Sequence, residues 1–177
     1  IIKMKPGQKF RNALKNNKPL IIPGTINAYS AKLAELANHN SIYLSGSGVA
    51  AASYGLPDLG VTTLEDVLID AKRITSATSL PLLVDIDTGW GDFDAISNTI
   101  IEMGNANVAA VHIEDQIFDK RCGHRPNKQL VSIDEMQDRL KAALDAKIDD
   151  SFFIMARTDA LASEGIEKAI ERCGKYL

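Results

Sequence analysis

Cysteine is nearly absent from this chain of 177 residues, which contains only Cys122 and Cys173. Two thiols cannot form the disulfide framework of a small secreted protein, so we expect a reducing, cytoplasmic setting. The sequence also lacks an apolar run approaching the roughly 20 residues that a membrane helix needs. Its first residues lack the apolar core and cleavage site of a signal peptide. We therefore expect no membrane partner.

An excess of positive charge is missing as well. Lys and Arg number 20 against 23 Asp and Glu, which gives a net charge of −3. Domains that bind nucleic acid usually carry a basic surface, so we expect no nucleic-acid partner. No linker, repeat or low-complexity stretch divides the chain, and 45% of its residues are hydrophobic. Residues 1–177 are therefore predicted to belong to a single globular domain.

Short apolar runs rich in Ile, Val and Leu alternate along the chain with longer amphipathic stretches. Such runs are typical of strands buried on both faces of a parallel sheet, and the amphipathic stretches are typical of helices. Two helix starts are indicated by Thr62 with Glu65 and by Ser132 with Glu135. Asn38 and Asn107 are expected to end helices. The predicted strands are residues 20–23, 41–45, 82–87, 109–114 and 152–157.

This alternation predicts an α/β fold, either a doubly wound open sheet or a (β/α)8 TIM barrel. Polar residues stand at the carboxyl ends of the predicted strands, where barrel enzymes carry their active sites. In an extended strand, Asp85 and Asp87 point to the same side, as do His112 and Glu114. Neighbouring strands would therefore bring three carboxylates and an imidazole together. Their mutual repulsion calls for a cation, and oxygen ligands favour Mg²⁺, with Mn²⁺ possible.

A glycine-rich run, Gly46-Ser47-Gly48, follows the second predicted strand. It imitates a dinucleotide-binding turn, which expects an acidic residue at the tip of the next strand, about 20 residues on. Here the acids in that range, Glu65, Asp66 and Asp70, lie within a predicted helix. Exposed backbone N–H groups in such a run can instead bind an anion such as a carboxylate. A simple turn that ends the strand is the alternative.

Cys122 lies in a loop, residues 119–128, that is rich in basic residues. Nearby cations favour a thiolate, so this sequence predicts a depressed pKa for Cys122 and an ability to exchange a proton near neutral pH. The alternative is a small residue in a basic surface loop. Cys173 falls in a predicted helix, and we expect it to be an ordinary buried thiol.

Several segments together resemble the isocitrate lyase and phosphoenolpyruvate mutase superfamily, in unbroken order and over essentially the whole chain. They include LLVDIDTGWG, VHIEDQ, DKRCGHRPNK and IMARTDAL. The resemblance implies a magnesium-dependent (β/α)8 TIM barrel of about 250 residues or more, of which this chain would contain the first five strands. It also implies a homotetramer. Residues 1–177 would then be part of a catalytic barrel domain, and the sequence would be incomplete.

The resemblance further implies that 2-methylisocitrate, a tricarboxylate, is cleaved to pyruvate and succinate in the breakdown of propionate through the methylcitrate cycle. Tyr43 would take the proton of the 2-hydroxyl group, and Cys122 would protonate the succinate carbanion. The expected catalytic residues are Tyr43, Lys120, Cys122, His124 and Arg157. The expected substrate-binding residues are Ser45, Gly46, Ser47, Cys122, Gly123 and Arg157. Asp85, Asp87 and Glu114 would hold the metal, supported by Asp58 and His112.

Two other functions stay open at this point. The first is a related enzyme on the same scaffold, such as one that cleaves isocitrate, because one methyl group contributes only about 1–3 kcal/mol to selectivity. The second is a barrel fragment that binds or assembles without catalysis.

Overall fold

The computed structural model describes residues 4–118, 120, 122 and 127–177. Strands and helices alternate along most of this length, and none of the described helices is long and apolar enough to cross a membrane. The helices are α1 Pro6–Asn16, α2 Ala28–Leu36, α3 Gly46–Tyr54, α4 Leu64–Ala77, α5 Phe93–Asn105, α6 Ile133–Asp145, α7 Ala160–Glu164 and α8 Ile166–Tyr176. The strands are β1 Ile42–Leu44, β2 Leu82–Asp85, β3 Ala110–Glu114 and β4 Phe153–Arg157.

The four strands form one parallel sheet in the order β1-β2-β3-β4. Helices connect consecutive strands, and this βα repeat is the arrangement of a partial (β/α)8 barrel. β2 and β3 are buried along their whole length, whereas the edge strand β4 is half-buried. The α/β prediction is confirmed.

The prediction of a first strand at residues 20–23 is wrong. That segment makes only an isolated parallel bridge, between Gly24 and Tyr43 of β1. Pro19 and Pro23 bracket the apolar run, and a proline has no N–H group to donate to a ladder. The segment therefore lies beside β1 without continuing the sheet.

Alternate residues of the strands pack on opposite faces of the sheet. On the outer face, Ile42, Leu82 and Val84 join a large core with the surrounding helices. On the inner face, Tyr43 and Leu83 pack in a smaller cluster. Its members are Phe10, Leu14, Ile22, Tyr43, Leu83, Ala109, Ala110, Phe153 and Met155.

Helix α1 reaches this inner cluster from the amino-terminal ends of the strands. The ring of Phe10 is fully buried and lies 5.5 Å from that of Phe153, centroid to centroid. Gly7 packs so closely on the chain before β4 that a Cβ atom would stand 2.2 Å from the carbonyl oxygen of Ser151. The apolar contacts of α1 therefore close one end of the inner face, and polar groups occupy the other.

The predicted helix ends are confirmed in three cases and displaced in one. Ser132 caps α6 by accepting a hydrogen bond from the Glu135 N–H group. Asn38 and Asn107 have left-handed φ angles of 61° and 58°. The predicted Thr62–Glu65 cap of α4 is wrong by one residue, because Thr63 and Asp66 form the reciprocal pair.

Cys173 is exposed on α8, so the prediction of a buried thiol is wrong. The reason lies in the rotation of this helix about its axis. Arg172 turns inward to pair with Glu164 and Asp115, and Ala169 is buried on the same side. The apolar positions Ile166 and Ile170 therefore face outward together with Cys173.

Candidate active site

The carboxyl ends of the strands present polar side chains on the inner face of the sheet. Because alternate residues share a face, Tyr43 of β1, Asp85 of β2, and His112 and Glu114 of β3 follow the apolar inner cluster. The register pairs Asp85 with His112, and Glu114 with Arg157 of β4. The sheet thus places five of the predicted site residues at one end of its inner face.

Asp85 and Asp87 lie together, although not for the predicted reason. β2 ends at Asp85, and Asp87 has a left-handed φ angle of 48° in the turn that follows. The Asp87 N–H group donates to Asp85 Oδ1 at 3.1 Å. A Cβ atom on Gly46 would stand 3.5 Å from Asp87 Oδ2 and 3.6 Å from Asp85 Oδ2. Both carboxylates therefore face the same side, beside bare glycine backbone.

The start of helix α3 forms the wall opposite these carboxylates. Ser45 caps the helix by accepting a hydrogen bond from the Gly48 N–H group at 3.3 Å. The Gly46 N–H group points to Asp85 Oδ2 at 3.4 Å, and Ser47 is exposed. The glycine-rich run is therefore a helix N-terminus, where the helix dipole favours an anion.

Tyr43 and His112 form a hydrogen-bonded pair beside Asp85. The Tyr43 hydroxyl lies 3.0 Å from His112 Nε2 and 3.3 Å from Asp85 Oδ2. Burial, and then the charge of Asp85, raises the pKa of Tyr43 above its ordinary value. Burial lowers the pKa of His112, although Asp85 opposes the shift. At neutral pH the phenol is therefore protonated and the imidazole is neutral.

Glu114 lies in a tight polar cluster with Arg157. An Arg157 guanidinium nitrogen is 3.1 Å from Glu114 Oε2, and a second donates to Asp159 Oδ1 at 3.2 Å. The Gln116 amide donates to both carboxylates, at 2.8 Å to Glu114 and 2.7 Å to Asp159. Burial raises the pKa of Glu114 to about 8 against the opposing charge of Arg157. Sequence reasoning missed Gln116 and Asp159, although both lie in the segments that carried the resemblance.

Lys120 is buried and stands between two carboxylates. Its ammonium group is 2.7 Å from Asp58 Oδ1 and 2.7 Å from Asp87 Oδ1. Burial alone would lower the pKa of Lys120, but the charge of Asp87 and the close contacts with both carboxylates raise it above its ordinary value. Burial and the charge of Asp85 raise the pKa of Asp87 to about 6, although Lys120 opposes this. Lys120 thus compensates only part of the negative charge of Asp58, Asp85 and Asp87.

Cys122 is half-buried, and its thiol lies beside Asp58 and helps to lower the pKa of that carboxyl group. Burial would raise the pKa of Asp58, but the contacts with Lys120 and Cys122 outweigh it and lower that pKa. Asp58 therefore links Cys122 to Lys120 and, through it, to Asp87. The predicted positions Gly123 and His124 lie outside the described residues.

A divalent cation fits the donor chemistry of this site. Asp87 Oδ1 and His112 Nδ1 are buried without a hydrogen bond, although Lys120 pairs electrostatically with the former. The raised pKa values of Asp87 and Glu114 mark an excess of buried carboxylate. In the described part of the chain, however, no three His, Cys, Asp or Glu side chains are arranged as a ready metal site. Glu114 is held by Arg157 and Gln116, so Asp85 and Asp87 are the two converging carboxylates that could hold a cation.

Comparison with known proteins shows the family of this chain. The family model of phosphoenolpyruvate phosphomutase matches residues 10–177. This chain belongs to that family. A 2-methylisocitrate lyase from Shewanella oneidensis is 63% identical over 171 residues, which cover 97% of this chain and 59% of that protein.

Solved structures of this superfamily superpose closely on the chain. Oxaloacetate acetylhydrolase, bound to 3,3-difluorooxalacetate, aligns with a TM-score of 0.91 and 37% identity, covering 97% of this chain and 60% of that one. Phosphonopyruvate hydrolase, bound to oxalate and Mg²⁺, aligns with a TM-score of 0.84 and 32% identity, covering 98% of this chain and 59% of that one. The chain thus spans about three fifths of the length of these relatives, and its sheet is part of a TIM-barrel-like fold.

Proposed function

We propose that this chain forms the larger part of the catalytic barrel of a lyase that cleaves 2-methylisocitrate to pyruvate and succinate. The observation that carries the proposal is the 63% identity to a 2-methylisocitrate lyase over nearly the whole chain. The site supports it, because acidic, basic and thiol groups meet at one end of the sheet. The proposed setting is the cytoplasm, the methylcitrate cycle and a homotetramer.

In this proposal, Asp85 and Asp87 hold Mg²⁺ or Mn²⁺, with Glu114 nearby. When bound, the ion supplies Lewis acidity that polarises the 2-hydroxyl oxygen and stabilises the developing carbonyl group. The N-terminus of α3, at Ser45, Gly46 and Ser47, binds the carboxylate that becomes part of pyruvate. Arg157 turns its planar guanidinium to a second substrate carboxylate.

The bond between C2 and C3 breaks when the 2-hydroxyl group loses its proton. Because the raised pKa keeps Tyr43 protonated, we propose that Tyr43 passes its own proton to His112 Nε2 as it accepts the substrate's proton. The electron pair of the broken bond remains on C3, which becomes the carbanion of succinate. The 3.0 Å contact between Tyr43 and His112 is the path for this transfer.

The carbanion needs a proton at once, and the Cys122 thiol is the proposed donor. The thiol lies beside Asp58, at the edge of the polar cluster. Proton transfer leaves a thiolate on Cys122.

Replacement of the thiol tests the proposed function. In the protein at its natural full length, Cys122→Ser keeps the size of the side chain but is far less acidic. We expect kcat to fall by at least about 100-fold while KM changes little. Cys173→Ser, which changes the exposed thiol of α8, is the matched control and should keep full activity. A near-normal kcat in Cys122→Ser, with chemistry rate-limiting, would remove Cys122 from the mechanism.

A further inference from the structure

Asp115 follows the last residue of β3 and is fully buried, yet it faces away from the proposed substrate. Its carboxylate accepts hydrogen bonds from the Thr158 hydroxyl at 2.6 Å and from the Asp159 N–H group at 3.0 Å. Both donors belong to the chain just beyond β4. Asp115 therefore holds two consecutive residues of the segment that follows Arg157.

Helix α8 fixes Asp115 from the other side. The Tyr176 hydroxyl donates to Asp115 Oδ2 at 2.9 Å, and a guanidinium nitrogen of Arg172 lies 3.5 Å from the same oxygen. Arg172 also donates to the carbonyl oxygen of Val131 at 2.9 Å. A buried carboxylate with so many partners has one available position, because any displacement would leave several donors unsatisfied.

The position of Asp159 determines where Arg157 points. The Asp159 carboxylate accepts from an Arg157 nitrogen at 3.2 and 3.3 Å, and from the Gln116 amide at 2.7 Å. Another Arg157 nitrogen meets Glu114 at 3.1 Å. Arg157 is the one member of this cluster that is substantially exposed, with a third of its side chain open to solvent. Without a fixed Asp159, this long side chain would be free to turn away from the site.

We propose that Asp115 is a positioning residue that, through Thr158 and Asp159, directs the Arg157 guanidinium toward Glu114 and the substrate. The inference deepens the proposed function, on which its kinetic consequence rests.

Two substitutions of Asp115 and one control separate positioning from stability. Asp115→Ala removes every acceptor, whereas Asp115→Asn keeps an oxygen for the Asp159 N–H group. Glu164→Gln weakens the ion pair between Glu164 and Arg172, which are 2.7 Å apart, and leaves Asp115, Thr158 and Asp159 unchanged. In the full-length protein, we expect Asp115→Ala to raise KM about tenfold or more. Asp115→Asn should recover most of this loss, and Glu164→Gln should lower the melting temperature with KM unchanged.

An NMR readout tests the geometry independently of turnover. The Nε–H signal of Arg157, assigned with Arg157→Lys, should report a rigid guanidinium in the wild type and in Glu164→Gln. It should report fast, large motion in Asp115→Ala. If Asp115→Ala does not fold, the isosteric Thr158→Val is compared with Thr158→Ser, which keeps the hydroxyl.

An Arg157 that stays rigid without its support would overturn the inference. An equal rise in KM for Glu164→Gln would also overturn it, because loss of stability alone would then explain the kinetics. A wild type that does not cleave 2-methylisocitrate, but whose Arg157 loosens in Asp115→Ala, would refute the proposed function and leave the positioning role standing.

Discussion

Replacing Lys120 by Met should destabilise the folded protein more than any loss of a surface ion pair. One carboxylate oxygen of Asp58 and one of Asp87 each lie 2.7 Å from the Lys120 ammonium group. The Lys120 and Asp87 side chains are only 7% and 8% exposed. At an effective dielectric constant of about 20, each contact corresponds to about 6 kcal/mol of gross attraction. Desolvation of the charges offsets much of this, and breaking a buried pair typically costs about 3–5 kcal/mol.

Thermal unfolding with EDTA measures this loss, and a stability change of that size should lower the melting temperature by about 10 °C. Lys168→Met is the matched control, because Lys168 pairs with Glu171 at the same 2.7 Å but with both side chains largely exposed. Its melting temperature should hardly change. Mg²⁺ should stabilise Lys120→Met more than the wild type, since the ion restores the lost positive charge. An unchanged melting temperature for Lys120→Met would refute the assigned role of this ion pair.

Two further predictions concern pH and packing. Glu114 has a pKa of about 8 in the folded state against an ordinary 4.5, so the folded state retains its proton between these values. Stability in EDTA should therefore fall as pH rises from about 5 to 8. Glu114→Gln should flatten that dependence, and an unchanged slope would contradict the assignment. Gly7→Ala should destabilise the protein, because the new Cβ would overlap the Ser151 carbonyl oxygen. Gly24→Ala, with open space around its Cβ position, is the control in the same unfolding assay.

The order of strands and helices was predictable because buried strands and amphipathic helices have different hydrophobic periods. Two predictions failed, the first strand and the burial of Cys173, because a hydrophobic pattern takes no account of proline or of buried ion pairs. Proline removed the backbone donors that residues 20–23 needed for a ladder. Arg172 rotated α8 so that Cys173 became exposed, since burial of a paired charge outweighed the apolar stripe.

The strand-borne members of the predicted site lie together at one end of the sheet, but their pairings were not predictable. Asp85 and Asp87 converge because a left-handed turn follows β2, whereas the prediction relied on an extended strand. Lys120 pairs with Asp58, 62 residues away, and Gln116 pairs with Asp159, 43 residues away. Such contacts depend on how elements pack in three dimensions, and a local pattern contains no information about that.

The most direct test of the proposed function is a cleavage assay on the protein at its natural full length. With Mg²⁺, 2-methylisocitrate should yield pyruvate and succinate in equal amounts, and EDTA should abolish the reaction. The value of kcat/KM for 2-methylisocitrate should be about 10-fold or more above that for isocitrate, as expected for a pocket that accommodates one extra methyl group. No cleavage of 2-methylisocitrate, or a higher kcat/KM for isocitrate, would contradict the proposal.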